Sequence, residues 1–238
     1  ELNGLNIDPN NSNKMRTCLL GTYGFSTNDQ CIYETIDAGN SWTRKGPNAH
    51  ALCITSNPEN FSTAFVGTFS QGLFKSTDGF DSFTNVINGN TIADVIVSTS
   101  DTNIVLVSEV ASPNAYIKRS TDGGSTYTVV NNLAVNRLTF NTSNNDTVYA
   151  ATFNGVYRSV DFGITWGPWV LGGTTILSLG HNNNTLYAGT SDGILYKIVG
   201  GNVTNVSGNW NTPVQIKRIY QTGNNLFVGL NGAEQDTT

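Results

Sequence analysis

Four carboxylates in this 238-residue chain fall outside any repeating pattern and could act as general acids or bases: Asp29, Asp94, Glu109 and Asp192. Cleaving a glycosidic bond needs two carboxyl groups flanking it, roughly 5 to 9 Å apart. Glu109 stands out because Thr22, Thr68, Thr152 and Thr190 recur at its strand position elsewhere. Two readings are open for it, half of an acid pair or an exposed strand end. The two histidines, His50 and His181, are far apart in sequence and read as loop residues, not as a metal pair. Cys18, Cys31 and Cys53 are an odd set without metal-ligand spacing and read as core-packing thiols. Cys18 and Cys31 fall on one hairpin at different heights, so no disulfide is expected between them. No Gly-rich phosphate loop leads a strand into a helix. Neither a metal nor a cofactor is therefore expected.

The bulk of the chain narrows the class further. Charged residues make up 12%, about half of the roughly 25% usual in soluble domains. Asn, Thr, Ser and Gly supply the polarity instead. Hydrophobic content of 38%, with 10% aromatic, supports a packed core, and a net charge of −5 argues against disorder. Scattered Lys and Arg leave no basic footprint for nucleic acid. No apolar run approaches the roughly 20 residues of a membrane-spanning helix. No basic-then-apolar leader opens the sequence, so any signal peptide is expected to have been removed. Asn-x-Ser/Thr sequons at Asn10, Asn60, Asn141, Asn145, Asn183, Asn202 and Asn205 point weakly to an extracellular setting.

The elements that would position any site come from a repeat. Ser or Thr is followed by any residue, Asp, any residue, Gly, two further residues and an aromatic. Thr35-Ile-Asp37-Ala-Gly39-Asn-Ser-Trp42, Ser120-Thr-Asp122-Gly-Gly124-Ser-Thr-Tyr127 and Ser159-Val-Asp161-Phe-Gly163-Ile-Thr-Trp166 fit it. Ser76-Thr-Asp78-Gly-Phe80-Asp-Ser-Phe83 is a degenerate copy, with Phe80 where Gly is expected. The Asp residues stand 41, 44 and 39 residues apart. Periods of about 40 to 50 residues with several strands each are those of propeller blades. The runs Cys18–Thr22, Ala64–Thr68, Leu186–Thr190 and Leu226–Leu230 are apolar or small on both faces, as strands sandwiched between sheets require. The recurring Gly21, Gly67, Gly189 and Gly229 suit close backbone approach. The fold class expected is all-β: a single propeller over 1–238 of four-stranded antiparallel blades, near 1–47, 48–90, 91–132, 133–173, 174–213 and an incomplete 214–238. The fifth blade lacks the Asp repeat, and Lys197–Asn202 stands in its place.

Each Asp is expected to accept hydrogen bonds from backbone N–H groups of its own turn, with Gly allowing positive φ. A role repeated in four blades is structural, so Asp37, Asp78, Asp122 and Asp161 are scaffold. Their aromatics Trp42, Phe83, Tyr127 and Trp166 are expected beneath the turn, Trp42 and Trp166 in the core. Glu34, Lys75, Arg119, Arg158 and Lys197, each just before the repeat or its equivalent, are expected to form a solvated rung.

These boxes resemble the bacterial-neuraminidase repeat, or Asp box, of sialidases, sortilin-type receptors, xyloglucan-hydrolysing propellers and photosystem II assembly-factor-like proteins. The resemblance covers nearly the whole chain. It implies the fold and leaves the function open, since enzymes and binding proteins both carry the box. Sialidases clamp their substrate with three arginines and use a Tyr–Glu nucleophile and an Asp acid/base. This chain has six arginines, of which only Arg137 and Arg218 form a credible pair, and the family's Arg-Ile-Pro signature is absent. The motif of the xyloglucan-hydrolysing propellers is not visible.

The resemblance places binding on the face opposite the boxes. Tyr23, Phe25, Phe69, Phe153 and Trp210 collect there among Asn, Ser and Thr, together with Glu109. Such a mixture suits sugar stacking or an aromatic-centred protein interface. The alternative is that these aromatics cap neighbouring blades. Trp169, on an outer strand, could serve either role. Turns at Tyr23–Gln30 and Val110–Asn114 are expected to be longer than their equivalent in the fourth blade. The function expected is a non-catalytic module binding protein or glycan, extracellular or on a particle surface. Two alternatives are a polysaccharide-active glycosidase and an assembly subunit that self-associates through its open last blade.

Overall fold

The computed structural model describes residues 2–19, 30–144, 146–210, 214–222 and 225–232. All regular elements among them are β-strands. They form two compact units, Glu1–Asn132 and Leu133–Thr238.

The first unit holds three four-stranded sheets. Its first sheet runs β1 (Leu2–Asp8), β2 (Asn11–Leu19), β3 (Gln30–Thr35), β4 (Thr43–Asn48). The second runs β5 (Ala51–Ser56), β6 (Ala64–Thr68), β7 (Gly72–Ser76), β8 (Thr84–Asn88). The third runs β9 (Thr91–Val97), β10 (Val105–Ala111), β11 (Asn114–Ser120), β12 (Thr128–Asn131). The second unit continues with β13 (Val135–Phe140), β14 (Val148–Thr152), β15 (Gly155–Ser159), β16 (Gly167–Val170). Its next sheet is β17 (Ile176–Asn182), β18 (Thr185–Thr190), β19 (Leu195–Val199), β20 (Asn202–Asn205). A two-stranded sheet, β21 (Val214–Thr222) and β22 (Asn225–Gly232), completes it. Each sheet is an antiparallel meander in sequence order.

Packing explains the two-sided apolar strands except Leu226–Leu230, where Phe227 and Leu230 are exposed and the expected sandwiching is not found. All five residues of β6 and all five of β14 are buried. β9 packs on β5 and β6, and Cys53, Phe65, Ile92, Val105 and Val107 form one core between those sheets. In the second unit β17 packs on β13 and β14, and β21 on β17 and β18. A Cβ at Gly67 would lie 2.5 Å from Cys53 Sγ on its partner strand and 2.7 Å from Ile92 Cγ2 on the neighbouring sheet. Gly229 differs, since the nearest atoms around it all belong to Arg218 on its own partner strand. Cys18 and Cys53 are buried.

The four Asp turns share one hydrogen-bond pattern. In the first, the Thr35 hydroxyl donates to Asp37 Oδ1 (2.7 Å) and accepts from Gly39 N–H (2.9 Å). Ser41 then donates its N–H to Asp37 Oδ1 (2.9 Å) and its hydroxyl to Oδ2 (2.6 Å). Ser82, Thr126 and Thr165 do the same for Asp78, Asp122 and Asp161. The seventh position, which the sequence pattern left open, is therefore a hydroxyl residue in all four turns. The Ser41 hydroxyl, and then Thr35, lowers Asp37 to a pKa of about 2, and Ser82 does so for Asp78. Asp161 is lowered as well: burial opposes its ionisation, but the bonds from Thr165 and Ser159 outweigh it. Fourth and fifth positions are both left-handed, as at Ala38 (φ 60°) and Gly39 (φ 91°). Phe80 adopts this conformation too (φ 69°) and buries its ring. The fourth-position N–H of each turn reaches the loop between the sheet's first two strands or, in the first sheet, the start of β2: Ala38 to Asn13 O, Gly79 to Ser62 O, Gly123 to Asn103 O and Phe162 to Asp146 O, all 2.8–3.0 Å.

Several expectations need correction. Trp42 and Trp166 are not core residues: Trp42 is 40% exposed and Trp166 only partly buried, and Phe83 is 43% exposed. Trp42 and Trp166 close over their turns by donating Nε1–H to Gly39 O and Gly163 O, and Phe83 packs edge-on against Phe74. Tyr127 packs against the core between the second and third sheets. Glu34 is not a solvated rung residue but is buried in an ion-pair cluster. The hairpin of β10 and β11 stays paired up to Ala111 and Asn114, leaving a two-residue turn no longer than Phe153-Asn154.

Candidate functional site

The sheet ends opposite the Asp turns carry the least repeated residues. Here the second strand normally ends in a Thr that locks the turn. Thr68 donates to Gly72 O (2.7 Å) and Thr152 to Gly155 O (2.8 Å). Phe69 and Phe153 follow these threonines and are 55% and 62% exposed. Their turns are braced from outside the hairpin. Phe69 N–H donates to His50 O (2.8 Å), and Ser70 N–H to Thr91 Oγ1 (3.2 Å). Gly173 N–H donates to Asn154 Oδ1 (2.7 Å), and Gly155 N–H to Thr174 O (2.8 Å). Each ring is thus an apolar surface on a turn held by hydrogen bonds, at little remaining cost in conformational entropy.

Glu109 occupies the Thr position of the third sheet and is 1% exposed, which overturns the exposed strand end. Both of its oxygens are taken. Lys118 Nζ lies 2.6 Å from Oε2, and Asn90 Nδ2 donates to Oε1 at 2.9 Å. Lys118 pairs with Val107 on the adjoining strand, two residues before Glu109, so both side chains share one face. Asp94, the nearest non-repeating acid, pairs with Ser108, whereas Glu109 pairs with Ile92. The register shift between these pairs skips Ala93 on β9, while β10 alternates without interruption, so Ser108 and Glu109 point to opposite faces. The sheet therefore separates Asp94 from Glu109, and they do not flank a common bond.

The remaining sequence-derived residues are dispersed. Gly21, Thr22, Tyr23, Phe25 and Asp29 lie outside the described residues. Trp210 is half-buried and donates Nε1–H to Gly193 O (2.7 Å), bracing the turn between β18 and β19. Asp192 accepts from the Thr190 hydroxyl, a turn lock of the same kind as Thr68. Arg137 and Arg218 sit on β13 and β21, with β17 packed between those strands.

One cluster was not anticipated. His181 belongs to β17, not to a loop, and is buried. Its Nδ1 accepts Thr142 N–H at 3.1 Å, which puts the ring proton on Nε2. The ring stacks on Tyr149 (5.5 Å), Tyr149 on Trp169 (5.0 Å), and Arg158 lies over Trp169 (5.1 Å). Burial lowers the His181 pKa to about 4. Trp169 is thereby committed to packing.

No family model matches the chain, and no curated protein matches it. Solved structures do. An ancestral GH74 enzyme superposes with a TM-score of 0.81 at 21% identity, over 98% of this chain and 35% of its own length. A GH74 enzyme of Niastella koreensis gives 0.76 at 24%, over 92% of this chain and 42% of its own. YCF48 bound to D1 peptide gives 0.70 at 12%, over 98% of this chain and 75% of its own. The fold is that of a β-propeller. At these identities the likeness establishes the fold alone, and the chain spans well under half of either GH74 enzyme.

Proposed function

We propose that this chain is a non-catalytic interaction module whose blade ends opposite the Asp turns receive a protein or glycan partner. One observation carries the proposal. Glu109, the acid that replaces the repeating Thr at that end, has both oxygens occupied by Lys118 and Asn90. Phe69 in the same unit, and Phe153 in the second unit, stand exposed on braced turns. A carboxylate sealed in this way is poorly placed to shuttle protons, whereas fixed exposed aromatics are typical interface anchors. The binding of a D1 peptide by the similarly folded YCF48 is in keeping with a protein partner. The four Asp turns are taken to be repeats of the bacterial-neuraminidase type, and the location to be extracellular or a particle surface.

The glycosidase reading rests on the likeness to GH74 enzymes. The assembly reading rests on the two-stranded sheet, where Tyr220, Phe227 and Leu230 are exposed. Peptide and glycan arrays run beside a hydrolysis assay on xyloglucan and related polysaccharides separate the three. Binding that Phe69→Ala or Phe153→Ala abolishes, without turnover, is the expected result. Turnover that Glu109→Gln abolishes would overturn it.

A further inference from the structure

The sequons occupy restricted positions. Asn10, Asn60, Asn141 and Asn183 fall in loops joining the first and second strands of their sheets, and Asn145 lies outside the described residues. In sheets with an Asp turn, that loop shares the turn's end of the sheet. Local turn chemistry accounts for some of these asparagines. Asn60 Oδ1 accepts Ser62 N–H (3.1 Å), and Asn141 Oδ1 accepts Ser143 N–H (2.9 Å), so the Ser two residues on is part of the turn.

Asn202 has no such explanation. It is the first residue of β20, and all four residues of that strand are exposed. β20 is the outermost strand of its sheet. An exposed edge is a template for unwanted strand pairing, and proteins deter it with bulges, charges or proline. The outer strands β4, β8, β12 and β16 each pair through a register shift. β4 also carries Arg44, Lys45 and Pro47, and β16 carries Pro168. β20 pairs with β19 without any shift, over Tyr196–Asn205, Lys197–Thr204, Ile198–Val203 and Val199–Asn202. Its sequence Asn-Val-Thr-Asn has no charge and no proline, and Val203 and the following Val206 are about as exposed as Trp42. It is a flat, uncharged, partly apolar edge, bearing two sequons in succession.

We propose that Asn202 is an N-glycosylation site and that its glycan guards the β20 edge. This rests on the extracellular reading given above. The donor is a lipid-linked diphosphate sugar, used by a membrane transferase. Asn202 Nδ2 forms a bond to the sugar's anomeric carbon as the bond from that carbon to phosphate oxygen breaks. The lipid diphosphate leaves with the electron pair, and one amide proton passes to the transferase's base. Asn202 and Asn205 are three residues apart and point to opposite faces. Asn205 Oδ1 is engaged by the Ser207 N–H (2.9 Å) and hydroxyl (2.7 Å), which makes Asn202 the freer acceptor.

The test uses the protein from its natural source. Enzymatic release of N-glycans in heavy-oxygen water converts each occupied Asn to a labelled Asp, which peptide mass spectrometry locates. Label at Asn202 is expected. The Asn202→Gln variant should shift to larger species in sedimentation velocity, and a Val203→Lys change in the variant should reverse that shift. Secreted protein with Asn202 unmodified overturns the glycan proposal and leaves the extracellular reading standing. Protein confined to a reducing compartment overturns both. Occupancy at Asn202 with unchanged sedimentation of the Asn202→Gln variant overturns the edge-guarding role.

Discussion

Replacing Glu34 with Ala should be among the most damaging single changes in the first unit. Arg16 on β2 is fully buried, and Glu34 faces it across the strand pair. Its Nε donates to Glu34 Oε2 at 2.7 Å, its Nη1 to Phe61 O at 2.6 Å, and its guanidinium lies 4.2 Å from the Phe61 ring centre. Glu34→Ala leaves that guanidinium buried beside neutral partners only, and breaking a buried pair from one side costs about 3 to 5 kcal/mol. Arg16→Met is milder, because Lys45 Nζ (3.1 Å) and Lys14 Nζ (3.9 Å) still face the Glu34 carboxylate and are partly exposed; about 1 to 3 kcal/mol is expected. The double variant Arg16→Met with Glu34→Ala should cost less than the two single changes together, giving a coupling of at least about 1.5 kcal/mol. Gly79 provides a second, steric check. Ala38 and Phe162 show that its left-handed position tolerates side chains, yet a Cβ at Gly79 would lie 2.7 Å from Arg16 Nη2. Gly79→Ala should therefore cost about 1 to 3 kcal/mol in the wild type and far less when Arg16 is Met. Equilibrium urea unfolding followed by tryptophan fluorescence measures each of these proteins. A loss below about 1 kcal/mol for Glu34→Ala, or a double variant as unstable as the sum of its singles, refutes the reasoning.

The other tests are simpler. His181 is neutral when folded, with its pKa lowered from 6.5 to about 4. The unfolded chain takes up a proton first, so the stability is fully present above about pH 6.5 and is lost as pH falls from there to about 4. After allowance for solvent screening the loss is about 1 to 2 kcal/mol, and His181→Phe should flatten that part of a stability–pH curve. Asp37 and Asp78, lowered from 3.8 to about 2, act in a separate window. Their contribution is present above about pH 4 and disappears as pH falls through about 2, which acid titration by circular dichroism should resolve as a later step. Thr165→Val removes the hydroxyl bond to Asp161 while keeping the N–H bond, and should lower unfolding free energy by about 0.5 to 1 kcal/mol. Phe69→Ala and Phe153→Ala should stay within about 0.5 kcal/mol of wild type in urea melts while weakening partner affinity at least about tenfold in calorimetry.

Periodicity made the strands and the Asp turns legible, because two-sided apolar runs such as Ala64–Thr68 and a fixed Ser/Thr-x-Asp spacing have few other structural uses. Hydrogen-bond roles that several residue types fill were harder to see. Ser41, Ser82, Thr126 and Thr165 recur in register, but two hydroxyl types in a Ser- and Thr-rich chain look like chance until both carboxylate oxygens are followed to them. Burial of charge was least legible. Arg16 stands in β2 where Phe65, Leu106 and Tyr149 stand in the equivalent strands, each opposite a Lys or Arg. In the first sheet Glu34 occupies that facing position, so the usual arrangement is inverted, which is visible in sequence only once the register is known. Glu109 misled for the same reason: nothing local indicates that Lys118, nine residues on, folds back onto it.

That inversion bears on how a chain of near-identical repeats assembles in the right order. Sheets built on one pattern are interchangeable docking partners during folding, and misassembly is a characteristic failure of repeat proteins. Lys45 of the first sheet reaches across to Asp81 at 2.8 Å. Asn40, Ser125 and Ile164 hold that position in the other Asp turns, and none of them carries a carboxylate. Arg16 likewise takes the Phe61 carbonyl and the space above Gly79 on the second sheet. The joint works as an address: a different sheet docked against the first would leave Lys45 without the Asp81 carboxylate, a difference that favours the native neighbour.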